Sequence, residues 1–265
     1  MLKTIYLPIL LVLFTLVGCG PSDDSMGPEV VPEDFNIQLT ASNNAVVDEV
    51  VSVRITSSKP MASLTISFDN FQTSTTAFSD LGSTQTRFFR FDKVGTETTI
   101  YLRAKDEDGN ESDITYTPTI NRGNSIKINQ VQIVSFNGIN TTLDPEFPAG
   151  DPNRLGDIFF VLRKFGVNLN DGTSANRFNW YTSPIKENQG DLTYDLSSEN
   201  VNIDPQTRMF YAMADDDGNF VEDLMQGPPF EREFNFSDFA ATRPEQVRFE
   251  VPEINLEVVF TVDWN

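Results

Sequence analysis

Five aspartates in two distant stretches of the chain have the types and spacing from which hard-cation chemistry is built. Asp151 and Asp157 stand in DPNRLGD, and Asp215, Asp217 and Asp223 follow in DDDGNFVED. Each group adjoins a strand-like run, IFFVLR after Asp157 and MFYAMA before Asp215. Calcium takes about six to eight oxygen ligands at ~2.3–2.6 Å, so a protein that binds it must gather carboxylates that repel one another. A pair at ~4 Å repels by roughly 4 kcal/mol at an effective dielectric near 20. If the two loops meet at one rim, Asp151, Asp157, Asp215, Asp217 and Asp223 are the expected ligands of a Ca2+ ion. Magnesium fits less well, because it demands tight octahedral geometry and sheds water reluctantly. Asp144 and Asp216 read as bystanders able to supply an outer oxygen.

Composition narrows the remaining chemistry. The chain has no histidine and a single cysteine, Cys19, which excludes Ser-His-Asp, Cys-His and His-ligated zinc sites within it. Carboxylate-pair hydrolysis stays open on composition. It needs one acid with a raised pKa in a partly apolar site, however, and these aspartates read as solvated and ion-linked, so the expectation is a protein that is not an enzyme. With 39 acidic against 19 basic residues and a formal charge of −20, nucleic acid is not an expected partner: polyanion binding runs on clustered Lys and Arg.

The elements that must position the site begin after an export signal. Residues 1–18 carry a basic start at Lys3, an apolar run from Ile5 to Val17 and small Gly18 before Cys19. The run is shorter than the roughly 20 apolar residues needed to span a bilayer. Leu16-Val17-Gly18-Cys19 resembles the bacterial lipobox, which implies cleavage before Cys19 and lipidation of its thiol, leaving no cysteine for a disulfide. Residues 19–34 are acidic and rich in Pro and Gly, as suits a flexible tether. Ser22-Asp23-Asp24 resembles the sorting signal that sends lipoproteins of the Bacteroidota to the cell surface; a plain solvated linker is the competing reading. The expected location is the bacterial outer membrane, lipid-anchored and surface-exposed.

Residues 35–122 alternate with period two, as in Val51/Val53/Ile55, Leu64/Ile66/Phe68 and Ile100/Leu102/Ala104, with turn clusters between the runs. That pattern predicts half-buried strands in an antiparallel sandwich. YLRAKDEDGNES resembles the closing strands of bacterial immunoglobulin-like or fibronectin type III modules. Its Asp106 and Asp108 form a D-x-D-G group, read as hairpin-turn chemistry. After a polar link at residues 121–124, a second all-β region occupies residues 126–265. Alternation slips between Ile128 and Val131, which predicts a bulge, and SDFAATRPE from Ser237 is a short candidate helix. The fold class is thus all-β, two antiparallel β-sandwiches in tandem after a cleaved lipoprotein signal peptide.

The second region resembles a C2 domain, the eight-stranded sandwich whose end loops hold calcium. Asp151 and Asp157, with the strand Asp157-Ile158-Phe159-Phe160-Val161, match one motif of that family, and Asp215, Asp217 and Asp223 match its D-x-D-x5-D motif. The resemblance implies Asp157 and Asp217 as the bridging ligands. Ile158 replaces the usual proline, Gln226 adds a residue before Gly227, and the family's phosphoinositide-binding basic strand has no counterpart. Apolar Phe147, Phe220 and Val221 lie in the loop tips, where relatives insert into lipid; packing of Phe220 onto its own loop is the competing reading. The leading expectation is a non-enzymatic surface lipoprotein with an immunoglobulin-like spacer and a calcium-binding domain for adhesion or assembly, with a surface protein or glycan as partner. The alternative is a glycan-binding accessory lipoprotein of a polysaccharide-uptake system, using Phe178, Trp180 and Tyr181 as a platform.

Overall fold

The computed structural model describes residues 34–78 and 81–265. The expected export signal, Cys19 and the expected tether up to residue 33 lie outside the described residues. Nine strands precede the link: β1 (Ile37–Thr40), β2 (Asn44–Val46), β3 (Val50–Ser57), β4 (Ser63–Ser67), β5 (Thr75–Ala77), β6 (Thr84–Arg90), β7 (Ile100–Lys105), β8 (Glu111–Tyr116) and β9 (Thr119–Asn121). They form one sheet in the order β1-β3-β6 and a second in the order β5-β4-β7-β8, with β2 and β9 paired in parallel. Of the stripes predicted by alternation, Val53, Ile55, Leu64, Ile66, Ile100, Leu102 and Ala104 are buried in the core, where Phe89 joins them, whereas Phe68, just past the end of β4, is exposed. The Asp-Gly-Asn hairpin is a turn, as its residues predict. The carboxylate of Asp106 accepts from the amide of Asn110 (2.8 Å) and from its side chain (2.9 Å), and Gly109 supplies the positive φ of +86°.

Ten strands follow: β10 (Ile126–Ser135), β11 (Ile158–Val167), β12 (Ser174–Thr182), β13 (Thr193–Asp195), β14 (Asn202–Ile203), β15 (Met209–Asp216), β16 (Val221–Asp223), β17 (Arg232–Phe234), β18 (Gln246–Val251) and β19 (Leu256–Asp263). One sheet runs β13-β10-β19-β18 with β14 also on β10, and the other runs β12-β11-β15-β16 with β17 also on β15. All these pairings are antiparallel. Their inner faces share a core rich in aromatic rings, with Phe160 stacked on Tyr211 at 5.7 Å and Phe234 on Phe260 at 5.4 Å. The β10 register shifts between Ile128 and Gln130, which is the predicted bulge. The candidate helix is a single 3-10 turn, Phe236–Phe239, capped by Asn235 and not by Ser237. So short a segment gains few backbone hydrogen bonds for the residues it orders, which favours a single tight turn.

Residues 34–265 form one compact unit. Two of the features that join the sandwiches are ion pairs. In the link, the Arg122 guanidinium donates to Ser125 O (2.9 Å) and to Asp263 Oδ2 (2.8 Å). Between the bodies, Lys164 at an inward position of β11 meets Asp48 with Nζ 2.6 Å from Oδ1, both side chains being buried. The other Asp48 oxygen accepts from the Asp204 amide (3.0 Å), and the ammonium lies 4.4 Å from the centre of the Trp180 ring.

Candidate metal centre

The register of β11 against β15 brings the two acidic segments together. Ile158 pairs with Asp215, so the residues entering β11 and those leaving β15 stand at the same end of the sheet. The Asp216 amide donates to Asp157 O (3.0 Å), and the Asp157 amide donates to the Asp215 carboxylate at Oδ1. Beyond Asp216 the chain reverses around Gly218, whose φ is +75°, with the Asp217 amide donating to Phe220 O (3.0 Å).

A third segment completes the rim. The amides of Leu143 and Asp144 donate to Arg154 O (3.0 and 3.2 Å), folding that loop over the end of the sheet. One carboxylate oxygen each from Asp144, Asp215 and Asp217 then lies within 4.8 Å of the other two. A cavity of about 540 Å³ opens beside them, and six of its lining residues are carboxylates: Asp144, Glu146, Asp157, Glu187, Asp216 and Asp217. Neither Lys nor Arg lines it.

Asp215 is the buried member, 1 % exposed, and its Oδ2 has no hydrogen-bond partner among the described residues. A buried acceptor left unmatched costs about 1–3 kcal/mol, more when charged. Gly156 makes the space for this carboxylate. A Cβ on residue 156 would stand 2.7 Å from Asp215 Oδ1 and nearer still to Oδ2. Hard oxygens converging from three segments, one of them desolvated and unmatched, fit a divalent cation with a preference for oxygen.

The structure does not bring all five predicted residues to this point. Asp157 lines the cavity, with Oδ1 accepting from the Asn188 amide (2.7 Å). Asp151 instead caps the 3-10 turn Pro152–Arg154, accepting from the Asn153 amide (2.9 Å). Asp223 holds its own loop, taking the amides of Met225 (3.1 Å) and Gly227 (2.8 Å) on its two oxygens. Asp216, read as a bystander, lines the cavity and accepts from the Gly218 amide (2.8 Å). Asp144, likewise expected to be a bystander, belongs to the convergent triad. A signal for it exists in the sequence, since Asp-Pro occurs twice in that loop, at 144–145 and 151–152.

Apolar side chains surround the acidic cavity. Phe147 and Ile185 line it and are exposed, and Phe220, 65 % exposed, stands at the β15–β16 turn and does not pack down onto its loop. Of the three aromatics considered for a sugar platform, Trp180 and Tyr181 pack in part against the core, and Phe178 is exposed.

The cluster's electrostatics follow from this crowding. Burial pushes the Asp144 carboxyl up to about 6, helped by contact with Asp217 and by the charges of Asp215, Asp217 and Glu146. Burial also raises Asp215, with Asp217, Asp157 and Glu222 adding repulsion. A carboxyl raised in the folded state opposes folding wherever it must ionise. For Asp144 that penalty is complete above about pH 6 and disappears as pH falls toward its ordinary 3.8. In chelator, Asp144→Asn is therefore expected to melt above the wild type at pH 7, with the gap narrowing at pH 5. Thermal melts of both proteins at the two pH values check this, and a gap independent of pH would contradict it.

No protein-family profile and no curated protein matches the chain.

Proposed function

We propose that the chain is a non-enzymatic lipoprotein, anchored at the bacterial outer membrane through Cys19 and exposed at the surface. In this reading an immunoglobulin-like sandwich carries a C2-like sandwich that binds calcium and serves adhesion or assembly. The observation that carries the proposal is the buried, unmatched Oδ2 of Asp215 beside the carboxylates of Asp144 and Asp217. Those three residues would hold the ion, with Asp157 and Asp216 on the cavity wall beside them. Bound calcium would neutralise a rim that otherwise repels itself, drawing the β10–β11 connection and the β15–β16 turn, remote from each other in the chain, into one rigid surface. The apolar side chains of Phe147, Ile185 and Phe220 on that surface suit contact with a partner.

Calcium titration of the purified chain tests this reading. Extracellular calcium modules bind at about 10⁻⁴–10⁻³ M. A ligand at 100 times its Kd stabilises by ~2.7 kcal/mol, which for a unit of this size is a rise in Tm of roughly 5–10 °C. Calcium is expected to produce a rise of that order and magnesium a smaller one. An unchanged Tm at 10 mM calcium would end the calcium reading and leave the lipid anchor and the two sandwiches to be judged by themselves.

A further inference from the structure

Arg87 occupies a position where the strand pattern calls for an apolar residue. It lies on β6 in phase with Phe89, facing the core of the first sandwich, and is 6 % exposed. Burying a guanidinium is costly without a counter-charge. The chain has 39 acidic residues, yet among the described residues no carboxylate forms an ion pair with Arg87. Its Nη1 is committed, donating to Gln85 Oε1 and Thr86 O, each at 2.9 Å. Among the described residues Nε and Nη2 have no hydrogen-bond partner, and they are not among the polar atoms sealed from solvent. The unused side of the guanidinium is therefore the Nε–Nη2 edge, whose two parallel N–H groups match the two oxygens of a carboxylate.

Arg87 lines a cavity of about 320 Å³ at the open side of the sandwich, between β5 of one sheet and β6 of the other. Leu64 and Ile66 of β4 and Ala77 of β5 supply apolar wall. The β11–β12 turn of the second sandwich closes one side with Leu169, which is fixed where the Phe88 amide donates to Leu169 O (3.0 Å). A single fixed cation in an otherwise largely apolar pocket of this size selects a ligand with one anionic head and a hydrocarbon body. We propose that this cavity, distinct from the acidic rim, binds a short aliphatic carboxylate through Nε and Nη2 of Arg87. Because both sandwiches wall the cavity, such a ligand would also brace the contact between them.

Binding of hexanoate, hexanol and hexylamine to the purified chain, at pH 7 and matched ionic strength, tests the proposal by calorimetry and thermal melting. Hexanoate is expected to bind saturably and raise Tm, with hexanol and hexylamine at least tenfold weaker. Arg87→Met and Ala77→Phe should each weaken hexanoate at least tenfold and leave the response to calcium unchanged, since neither residue touches the acidic rim. Equal responses to all three compounds, no saturable response to hexanoate, or undiminished binding by Arg87→Met would each overturn the assignment. The comparison of the three compounds needs no variant, so a poorly folding substitution does not leave the question open.

Discussion

Lys164→Met is expected to destabilise the protein by about 3–5 kcal/mol, the cost of breaking a buried ion pair by removing one partner. Asp48 is left with its charge in a site that is fully buried, and only the Asp204 amide still answers it. Water cannot easily reach the orphan, because the pair sits between the two sandwiches with the Trp180 ring over the ammonium. The position is also specific. Lys164 continues the inward stripe of Ile158, Phe160 and Leu162, so its ammonium is delivered past the second core toward the first sandwich. Asp48 has a φ of +63°, a conformation Asn tolerates well, which makes Asp48→Asn the matched partner substitution. Asp48→Asn with Lys164→Met should cost much less than the sum of the two single changes, because no uncompensated charge remains. Denaturant midpoints of the four proteins measure the coupling. A loss below about 1 kcal/mol for Lys164→Met would mean that the pair does not hold the sandwiches together.

Asp215→Asn should change sign with conditions. In chelator the substitution removes a buried charge whose Oδ2 has no partner, and it gives the position an N–H that can donate toward Asp144 or Asp217. Stabilisation by about 1–2 kcal/mol is expected, most of the cost of an unmatched buried acceptor. In calcium at 100 times its Kd the order should reverse: the wild type gains ~2.7 kcal/mol and the variant gains almost nothing. Gly156→Ala supplies a check that removes no carboxylate. Its Cβ would displace the Asp215 carboxylate, so the calcium response should weaken with the charge of the site unchanged. Melting curves of the three proteins in chelator and in calcium give both comparisons. A variant Asp215→Asn that keeps the full calcium response would remove Asp215 from the site.

Much of the scaffold for this site was legible in local pattern. Alternation marked the inward residues of β3, β4 and β7, the phase slip at Ile128 marked the bulge, and Asp-Gly-Asn marked its own hairpin. Strand periodicity and turn preference act between neighbours in sequence, so neighbours suffice to read them. The same locality explains why spacing did not single out the convergent set. Asp151 and Asp223 have the right type and spacing, but each lies within reach of free amides in its own loop and accepts from them. Loop amides compete for a carboxylate, and spacing alone does not record that competition.

Residue types and their spacing by themselves determined that the chain is all-β, that histidine-based chemistry is absent from it, and that acidic groups flank the ends of two particular strands. Which carboxylates converge was decided only in three dimensions, by the pairing of Ile158 with Asp215, by a loop that carries Asp144 across, and by the missing side chain at Gly156. The Lys164–Asp48 pair and the unmatched edge of Arg87 belong to the same category. Each depends on contacts between segments remote in sequence, where the charge or amide that meets a side chain is set by packing and not by its neighbours along the chain.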